Sequence, residues 1–132
     1  RRPVITNLWD VPQWQPGHIA LADRAELLVI APATANIMAK LAHGIADDAL
    51  STFALSHCGP VVIAPAMNPR MWAHAAVQAN CEVLRARGVR FVGPGRGRVA
   101  CGDDGPGRLA PVADILAAIR VELGLPSGCP DN

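Results

Sequence analysis

Two uninterrupted apolar runs dominate the pattern of hydrophobic and polar positions. Residues 29–36 read VIAPATAN and residues 62–68 read VIAPAMN, so each run passes through a proline and small residues to an asparagine. A strand covered on both faces shows such a continuous apolar run, and proline ends its ladder because it has no N–H to donate. The two runs predict buried parallel strands over 27–31 and 61–64.

Helical periodicity fills the stretches between and after these strands. Apolar side chains recur every three or four positions, which predicts helices beginning after residues 36, 48, 72 and 111. Their predicted apolar positions are Ile37, Met38, Leu41 and Ile45, then Leu50, Phe53 and Leu55, then Val77, Cys81 and Leu84, and finally Val112, Ile115, Leu116, Ile119 and Leu123. A further helix is predicted over 18–24, and short strands over 3–8 and 89–92. Strands alternating with helices predict an α/β fold.

The asparagines that end the two runs predict a ligand site. The carboxyl ends of parallel strands lie at one edge of the sheet, and open α/β sheets bind ligands there. We therefore expect Asn36 and Asn68 to face one pocket. Thr34 and Asn36 can equally serve as helix caps, and capping does not exclude ligand contact.

The loop over 65–72 (PAMNPRMW) has an unusual composition, with two methionines, a tryptophan, an asparagine and an arginine after a strand end. Methionine and tryptophan offer a soft, flat apolar wall, and asparagine offers a hydrogen-bonding edge, which together suit a planar heteroaromatic ligand. A hydrophobic plug over the core is the alternative, and the spacing leaves both open.

The segment over 95–108 (GRGRVACGDDGPGR) is rich enough in glycine to predict an irregular, mobile flap. Cys101 lies within it, close in sequence to Arg96, Arg98 and Arg108, and we expect an accessible thiol with thiolate character. His18 opens the predicted helix over 18–24, where the helix dipole favours a neutral imidazole able to accept a proton. A surface histidine that caps the helix is the bland alternative.

Other residues that resemble chemical sites have structural explanations. Asp47 and Asp48 are interpreted as the cap and first turn of a helix rather than a catalytic pair. The remaining cysteines show no Cys-x-x-Cys spacing, so no metal site is predicted. We expect Cys81 to be an inert core thiol, and His57 and Cys58 to cap and pack at a helix end.

Composition and charge narrow the range of partners. A chain of 132 residues suffices for one domain, and its net charge of +1 gives no field that would gather nucleic acid or an anionic membrane. No apolar run approaches the roughly 20 residues of a membrane span, and the start has no signal-peptide pattern, so we expect a soluble, cytoplasmic protein with reduced thiols. We expect one domain over 1–124 and a tail over 125–132. The opening on an apolar run without methionine leads us to expect that an upstream segment is missing.

Four segments taken together resemble a known family: 17–19 (GHI), 31–36 (APATAN), 65–72 (PAMNPRMW) and 100–108 (ACGDDGPGR). From about residue 3 to residue 123 the chain resembles the homo-oligomeric flavin-containing cysteine decarboxylases. The resemblance implies a three-layer, flavodoxin-like (Rossmann-like) parallel sheet with helices on both faces, incomplete at its amino terminus. It also implies FMN bound where the subunits of a trimer, or of a multiple of trimers, meet.

The resemblance is strongest to the branch of coenzyme A biosynthesis that decarboxylates 4′-phosphopantothenoylcysteine to 4′-phosphopantetheine. In that reaction FMN oxidises the cysteine thiol toward a thioaldehyde, carbon dioxide leaves, and the product is reduced and protonated. His18 matches the active-site histidine beside the flavin, Asn68 the asparagine that holds the substrate carboxylate, and Cys101 the acid of the final protonation. The positions implied to contact the flavin are Thr34, Ala35, Asn36 and Met71. The positions expected to contact substrate are Asn68, Ala66, Met67 and Arg108. Arg96 or Arg98 could meet the substrate phosphate in place of Arg108, and a solvated face explains the three arginines equally well.

Two alternatives to this activity follow from the same resemblance. One is a peptidyl-cysteine decarboxylase that acts on a precursor peptide, although such relatives generally lack the flap cysteine. The other is a non-catalytic regulatory relative, although such proteins tend to lose one of the three residues His18, Asn68 and Cys101, all of which are present here. In many bacteria a ligase domain follows the decarboxylase domain, and the resemblance found here does not include such a domain.

Overall fold

The computed structural model describes residues 23–98 and 104–125. Three parallel strands form one sheet in the order β1-β2-β3, with β1 at Leu28–Ala33, β2 at Val61–Pro65 and β3 at Arg90–Phe91. A separate antiparallel pair consists of β4 at Gly95–Arg98 and β5 at Asp104–Arg108. The described helices are α1 at Ala35–His43, α2 at Ala49–Ser56, α3 at Pro69–Ala73, α4 at Ala75–Ala86 and α5 at Val112–Glu122.

The two repeated apolar runs form adjacent strands, as their pattern predicts. β1 and β2 pair in parallel, with Leu28 opposite Val61 and Ile30 opposite Ile63. Both strands continue past the predicted ends, and the ladder shifts between Ile30 and Ala33. That shift brackets Pro32, which has no N–H to donate, and irregular positions are where a sheet tolerates proline. The predicted strand over 89–92 is shorter, although the N–H of Val92 still donates to the carbonyl of Ile63 (2.9 Å).

Side chains that alternate along β2 divide the core into two clusters, one on each face of the sheet. Ile63 belongs to a cluster with residues of β1, α1 and α4, whereas Val62 and Ala64 belong to a cluster with residues of α5. Successive strand residues point to opposite faces, so a strand buried in both clusters must be apolar throughout. This is the three-layer α/β arrangement with helices on both faces that the sequence predicts.

Several residues that were predicted to lie on the buried faces of helices are exposed. Gly44 ends α1 with a φ of +69°, and Ile45 beyond it is 47% exposed. Leu55 of α2 and Val112 of α5 are likewise exposed, at 62% and 67%. Leu50 and Leu116 also belong to this exposed set. Short helices bury a narrower stripe than the periodicity allows, because each packs on only one neighbouring layer.

The interpretations of Asp48 and His57 as caps of α2 are confirmed, whereas Asp47 precedes the N-cap and pairs with Lys40 (2.8 Å), and Cys58 is exposed rather than packed. Asp48 caps α2, its carboxylate accepting the N–H of Ser51 (2.7 Å) while the Ser51 hydroxyl accepts the N–H of Asp48 (3.1 Å). His57 follows the helix as its buried C-cap, stacks on Phe53 and lies with Nε2 3.1 Å from the carbonyl oxygen of Pro60. These contacts are structural and leave no chemistry for Asp48.

The prediction of an irregular segment over 95–108 is wrong for its two ends. β4 and β5 pair with Gly95 opposite Arg108 and Gly97 opposite Gly105. Gly97 and Gly105 have φ values of +140° and +146°, which glycine adopts without the steric cost that a Cβ would bring. Glycine here permits a ladder rather than preventing one.

Other expectations fall outside the described residues: the strand over 3–8, His18 and most of its helix, Cys101, Cys129 and most of the tail over 125–132. The domain limits therefore stay predictions. No helix within 23–98 or 104–125 is long and apolar enough to cross a membrane.

Candidate functional site

The loops that follow β1 and β2 meet at the carboxyl edge of the sheet. The N–H of Ala66 donates to the carbonyl of Ala33 (3.0 Å), which ties the second loop to the end of the first strand. Thr34 caps α1, and its hydroxyl oxygen accepts the N–H of Ile37 (3.2 Å). Ala35 and Asn36 are the first helical residues, so their N–H groups have no partner within the helix. Thr34 and Asn36 were each predicted either to cap this helix or to contact a ligand. Thr34 forms the cap, and Asn36 is exposed.

Asn68 is the N-cap of α3, and its side chain has a fixed orientation. Its Oδ1 atom accepts the N–H of Met71 at 2.8 Å, with Pro69 in the first helical turn. Since only oxygen can accept from an N–H group, this bond assigns the two ends of the amide. The carbonyl end is engaged by the helix, and the NH₂ end has no hydrogen-bond partner among the described residues. The Asn-Pro pair could have predicted this cap from the sequence, because proline favours the first helical position.

The two alternatives for the loop over 65–72 apply to different side chains. Met67 and Trp72 are half-buried and pack against the core cluster of β1, α1 and α4, so they act as the hydrophobic plug. Met71 is 44% exposed and is not part of this plug. Gln78 donates from its side chain to the carbonyl of Trp72 and thereby holds the loop against α4.

The β4–β5 pair docks on the same loop. The N–H of Met67 donates to the carbonyl of Gly107 (2.9 Å), and Gly107 is buried. Arg108 follows on β5, is exposed, and directs its guanidinium over Gly97. Among the carboxylates whose side chains the structure describes, none lies within ion-pair distance of Arg108. Gly107 is a site residue that the sequence reasoning missed.

The structure thus brings eight of the ten predicted site residues to one edge. They are Thr34, Ala35, Asn36, Ala66, Met67, Asn68, Met71 and Arg108. The other two, His18 and Cys101, lie outside the described residues. Within 23–98 and 104–125 no cluster of His, Cys, Asp and Glu side chains could hold a metal ion.

The strongest electrostatic perturbations lie away from this edge. Hydrogen bonding to Lys40, together with the Ser51 cap, lowers the pKa of Asp48 to about 2. Burial raises the pKa of the Cys81 thiol, as expected for an inert core residue. A cavity of about 310 Å³ also lies elsewhere. Its lining includes Lys40 of α1, Ser51 of α2 and the following residue His57, and none of the predicted site residues lines it.

Comparison with known proteins gives consistent matches. The chain is 44% identical over 117 residues to the coenzyme A biosynthesis bifunctional protein CoaBC of Vibrio cholerae, an alignment that covers 88% of the chain and 29% of that protein. It superposes with a TM-score of 0.82 on a PPC decarboxylase Cys-to-Ser mutant complexed with pantothenoylaminoethenethiol, at 31% identity, covering 89% of this chain and 65% of the other. The FMN-dependent cysteine decarboxylase SpaF matches with a TM-score of 0.75 and 42% identity, covering 90% and 62%.

The chain spans less than a third of the length of the curated relative and about two thirds of these solved structures. The model of the Flavoprotein family matches residues 1–124, which is nearly the whole sequence. The chain belongs to the Flavoprotein family.

Proposed function

We propose that the chain is an FMN-dependent carboxy-lyase that converts 4′-phosphopantothenoylcysteine to 4′-phosphopantetheine and carbon dioxide in coenzyme A biosynthesis. The observation that carries the proposal is the orientation of Asn68, whose amide carbonyl caps α3 and whose NH₂ group, without a partner among the described residues, can donate to a ligand. The likeness to CoaBC and to PPC decarboxylase supports the choice of substrate.

The residues at the edge fit a flavin. The first turn of α1 supplies unpaired N–H groups at Ala35 and Asn36, Thr34 supplies a hydroxyl, and Met71 supplies an exposed thioether for an apolar ring. Through these groups, the four residues Thr34, Ala35, Asn36 and Met71 would hold FMN, as the resemblance implies. When bound, FMN would take two electrons from the substrate thiol and return them after carbon dioxide has left. The likeness to SpaF, an FMN-dependent enzyme, supports this choice.

The amide of Asn68 suits a carboxylate that must depart. A neutral NH₂ group orients the carboxylate through hydrogen bonds without the strong ion pair that a lysine or arginine would form. Stronger binding of the carboxylate in the ground state would oppose its loss, because only interactions that are stronger in the transition state than in the ground state accelerate the chemical step. Arg108, exposed beside the same loop, can meet the phosphate of the substrate. The reaction is redox-neutral overall, and one proton replaces the carboxylate.

Incubation of the purified chain with FMN and 4′-phosphopantothenoylcysteine, followed by mass spectrometry, tests the proposal. We expect phosphopantetheine from the wild-type chain, none from His18→Asn, and an oxidised enethiol from Cys101→Ser, because the final protonation then lacks its acid. Cys58→Ser is the matched control, since Cys58 is an exposed thiol outside the site. If flavin is bound, as judged by absorbance, and no product forms, the proposed function is wrong.

A second candidate is a peptidyl-cysteine decarboxylase. Identity is higher to SpaF than to PPC decarboxylase, at 42% against 31%, which favours testing this reaction too. A peptide ending in cysteine, offered in competition with 4′-phosphopantothenoylcysteine, separates the two activities by which substrate loses carbon dioxide. Turnover of neither would favour a non-catalytic regulatory relative.

We also propose that the active form is a cytoplasmic trimer or a multiple of trimers. The exposed Met71 and Asn36 leave the flavin edge open on one side, where a second copy could complete it. Light scattering of the chain with and without FMN tests the assembly. A monomer that binds FMN tightly would contradict it.

A further inference from the structure

Three hydrogen bonds from different directions hold the part of the loop next to Asn68. Ala66 donates to Ala33 of β1 (3.0 Å), Met67 donates to Gly107 of β5 (2.9 Å), and Asn68 accepts from Met71 of α3 (2.8 Å). The first and the last of these bonds anchor the loop to the sheet and to its own helix. The bond to Gly107 connects it to the β4–β5 pair.

Gly107 lies closer to this loop than any other residue type could. A Cβ atom built on Gly107 would overlap the carbonyl oxygen of Met67 and would also lie 3.3 Å from the carbonyl carbon of Asn68. Both of these are main-chain atoms, so no side-chain rotation could relieve the overlap. The φ of +142° at Gly107 is a second reason for glycine here.

Gly105, two residues before Gly107 on β5, also lies close to the Asn68 loop. A Cβ at Gly105 would lie 3.2 Å from Cγ of Pro69, the residue after Asn68. Alternate residues of a strand share one face, so Gly105 and Gly107 form a bare face of β5 against which the Asn68 loop rests.

We propose that Gly107 is a positioning residue, which sets the place of the Asn68 amide by letting β5 approach the main chain of Met67 and Asn68. Displacement of the Met67 carbonyl would carry Asn68 with it, since the two residues share a peptide plane. The cap to Met71 would then be strained or lost, and the NH₂ group would move from its place at the ligand edge. The catalytic consequence rests on the proposed function, whereas the structural consequence does not.

Gly107→Ala is the informative variant, and Gly97→Ala is its matched control. Gly97 lies in the same strand pair with a nearly equal φ of +140°, but its added Cβ would meet only the side chain of Arg108, at 3.2 Å from Nη1 and 3.4 Å from Cδ. Both variants carry similar backbone strain, and only one pushes on the Asn68 loop. Misplacement by about 1 Å can cost about 100-fold in rate, so we expect a fall of that order in kcat for Gly107→Ala. Gly97→Ala displaces only the side chain of Arg108, which is proposed to meet the substrate phosphate, so it should act on KM and leave kcat near the wild-type value.

A double-mutant cycle with Asn68→Ser distinguishes positioning from a loss of stability. If Gly107 acts through Asn68, adding Gly107→Ala to Asn68→Ser should cost little more than Asn68→Ser alone, because the amide is already absent. Additive losses would overturn the proposal. Should Gly107→Ala fail to fold, Gly105→Ala takes its place, because Pro69 needs to yield by only a few tenths of an ångström.

An NMR arm needs no catalysis. In ¹⁵N-labelled protein we expect Gly107→Ala to shift the Asn68 side-chain NH₂ and Met71 N–H signals strongly, and Gly97→Ala to leave them near their wild-type positions. Equal shifts in both variants would overturn the proposal. If the wild-type chain makes no product, the proposed function fails, and the NMR comparison still decides the role of Gly107.

Discussion

Replacing Asn68 separates its two roles, because its two polar atoms face different partners. Oδ1 caps α3 through the Met71 N–H (2.8 Å), and the NH₂ group remains for substrate. Asn68→Asp keeps an oxygen for the cap and loses both donors. Asn68→Ser also keeps a capping oxygen and lacks the amide. Asn68→Ala removes both functions.

The structure sets an expected magnitude for each replacement. Loss of an N-cap costs about 1 kcal/mol, so Asn68→Ala should lower the free energy of unfolding by that amount, whereas the Asp and Ser variants should keep nearly the wild-type value. A hydrogen bond to a charged group contributes about 1.5–3 kcal/mol, so losing it should reduce kcat/KM about 10- to 150-fold in Asn68→Ser. In Asn68→Asp two carboxylates about 4 Å apart repel by about 4 kcal/mol at an effective dielectric constant of about 20, which corresponds to roughly 1,000-fold.

Urea unfolding followed by circular dichroism gives the stability order, and steady-state decarboxylation gives the activity order. We expect the two orders to differ: Asn68→Asp should be among the most stable variants and the least active. The reasoning is refuted if Asn68→Asp turns over substrate at the wild-type rate. It is equally refuted if activity simply follows stability across the three variants, because the amide would then serve the fold alone.

Two further predictions concern residues away from the site. Asp48→Ala should lower the free energy of unfolding by about 1 kcal/mol through loss of the α2 cap, while Asp48→Asn should keep the cap and lose only the ion pair with Lys40 (2.7 Å). Because the pKa of Asp48 is lowered in the folded state, to about 2 from 3.8, its stabilising effect is present above pH 4 and is lost as the pH falls toward 2. The free energies of unfolding of wild type and Asp48→Asn should therefore converge in that pH window. Curves that stay parallel as the pH falls would contradict the assignment. Cys81 should resist alkylation at pH 8 in the folded chain, because burial raises the pKa of its thiol, while exposed Cys58 should react quickly. Peptide mass mapping measures the labelling of each cysteine. Equal labelling of the two would show that Cys81 is accessible.

The strands could be predicted from the sequence because their burial has a direct signature. A strand with apolar side chains in both core clusters has no polar position, and the repeated run over 29–36 and 62–68 shows this. The parallel pairing of Leu28 with Val61 follows from the connection through α1 and α2. Parallel pairing places the ends of both strands, and therefore Thr34 and Asn68, at the same edge of the sheet. Most of the described site could therefore be predicted from the sequence.

The exposed helix positions could not be predicted in the same way. Periodicity shows which residues share a face but not how wide the face buried by neighbouring elements is. Val112 and Leu116 lie one turn apart on α5, yet both are exposed, whereas Ile115 between them is buried. The orientation of the Asn68 amide was missed for a different reason: it depends on a single capping hydrogen bond to Met71, and the Asn-Pro pair that indicates this cap was not used.

The glycines over 95–108 illustrate how composition and spacing can lead to opposite predictions. Their abundance indicates an irregular segment, because glycine loses more conformational freedom on folding than any other residue. Their spacing indicates something else: Gly105 and Gly107 are two apart, and alternate positions of a strand share a face. A strand face without side chains allows another main chain to approach closely, and the Asn68 loop does so through Met67 and Pro69. The entropic cost of ordering glycine is thus offset by a contact that no larger residue permits, and this contact joins the ligand-edge loop to the β4–β5 pair.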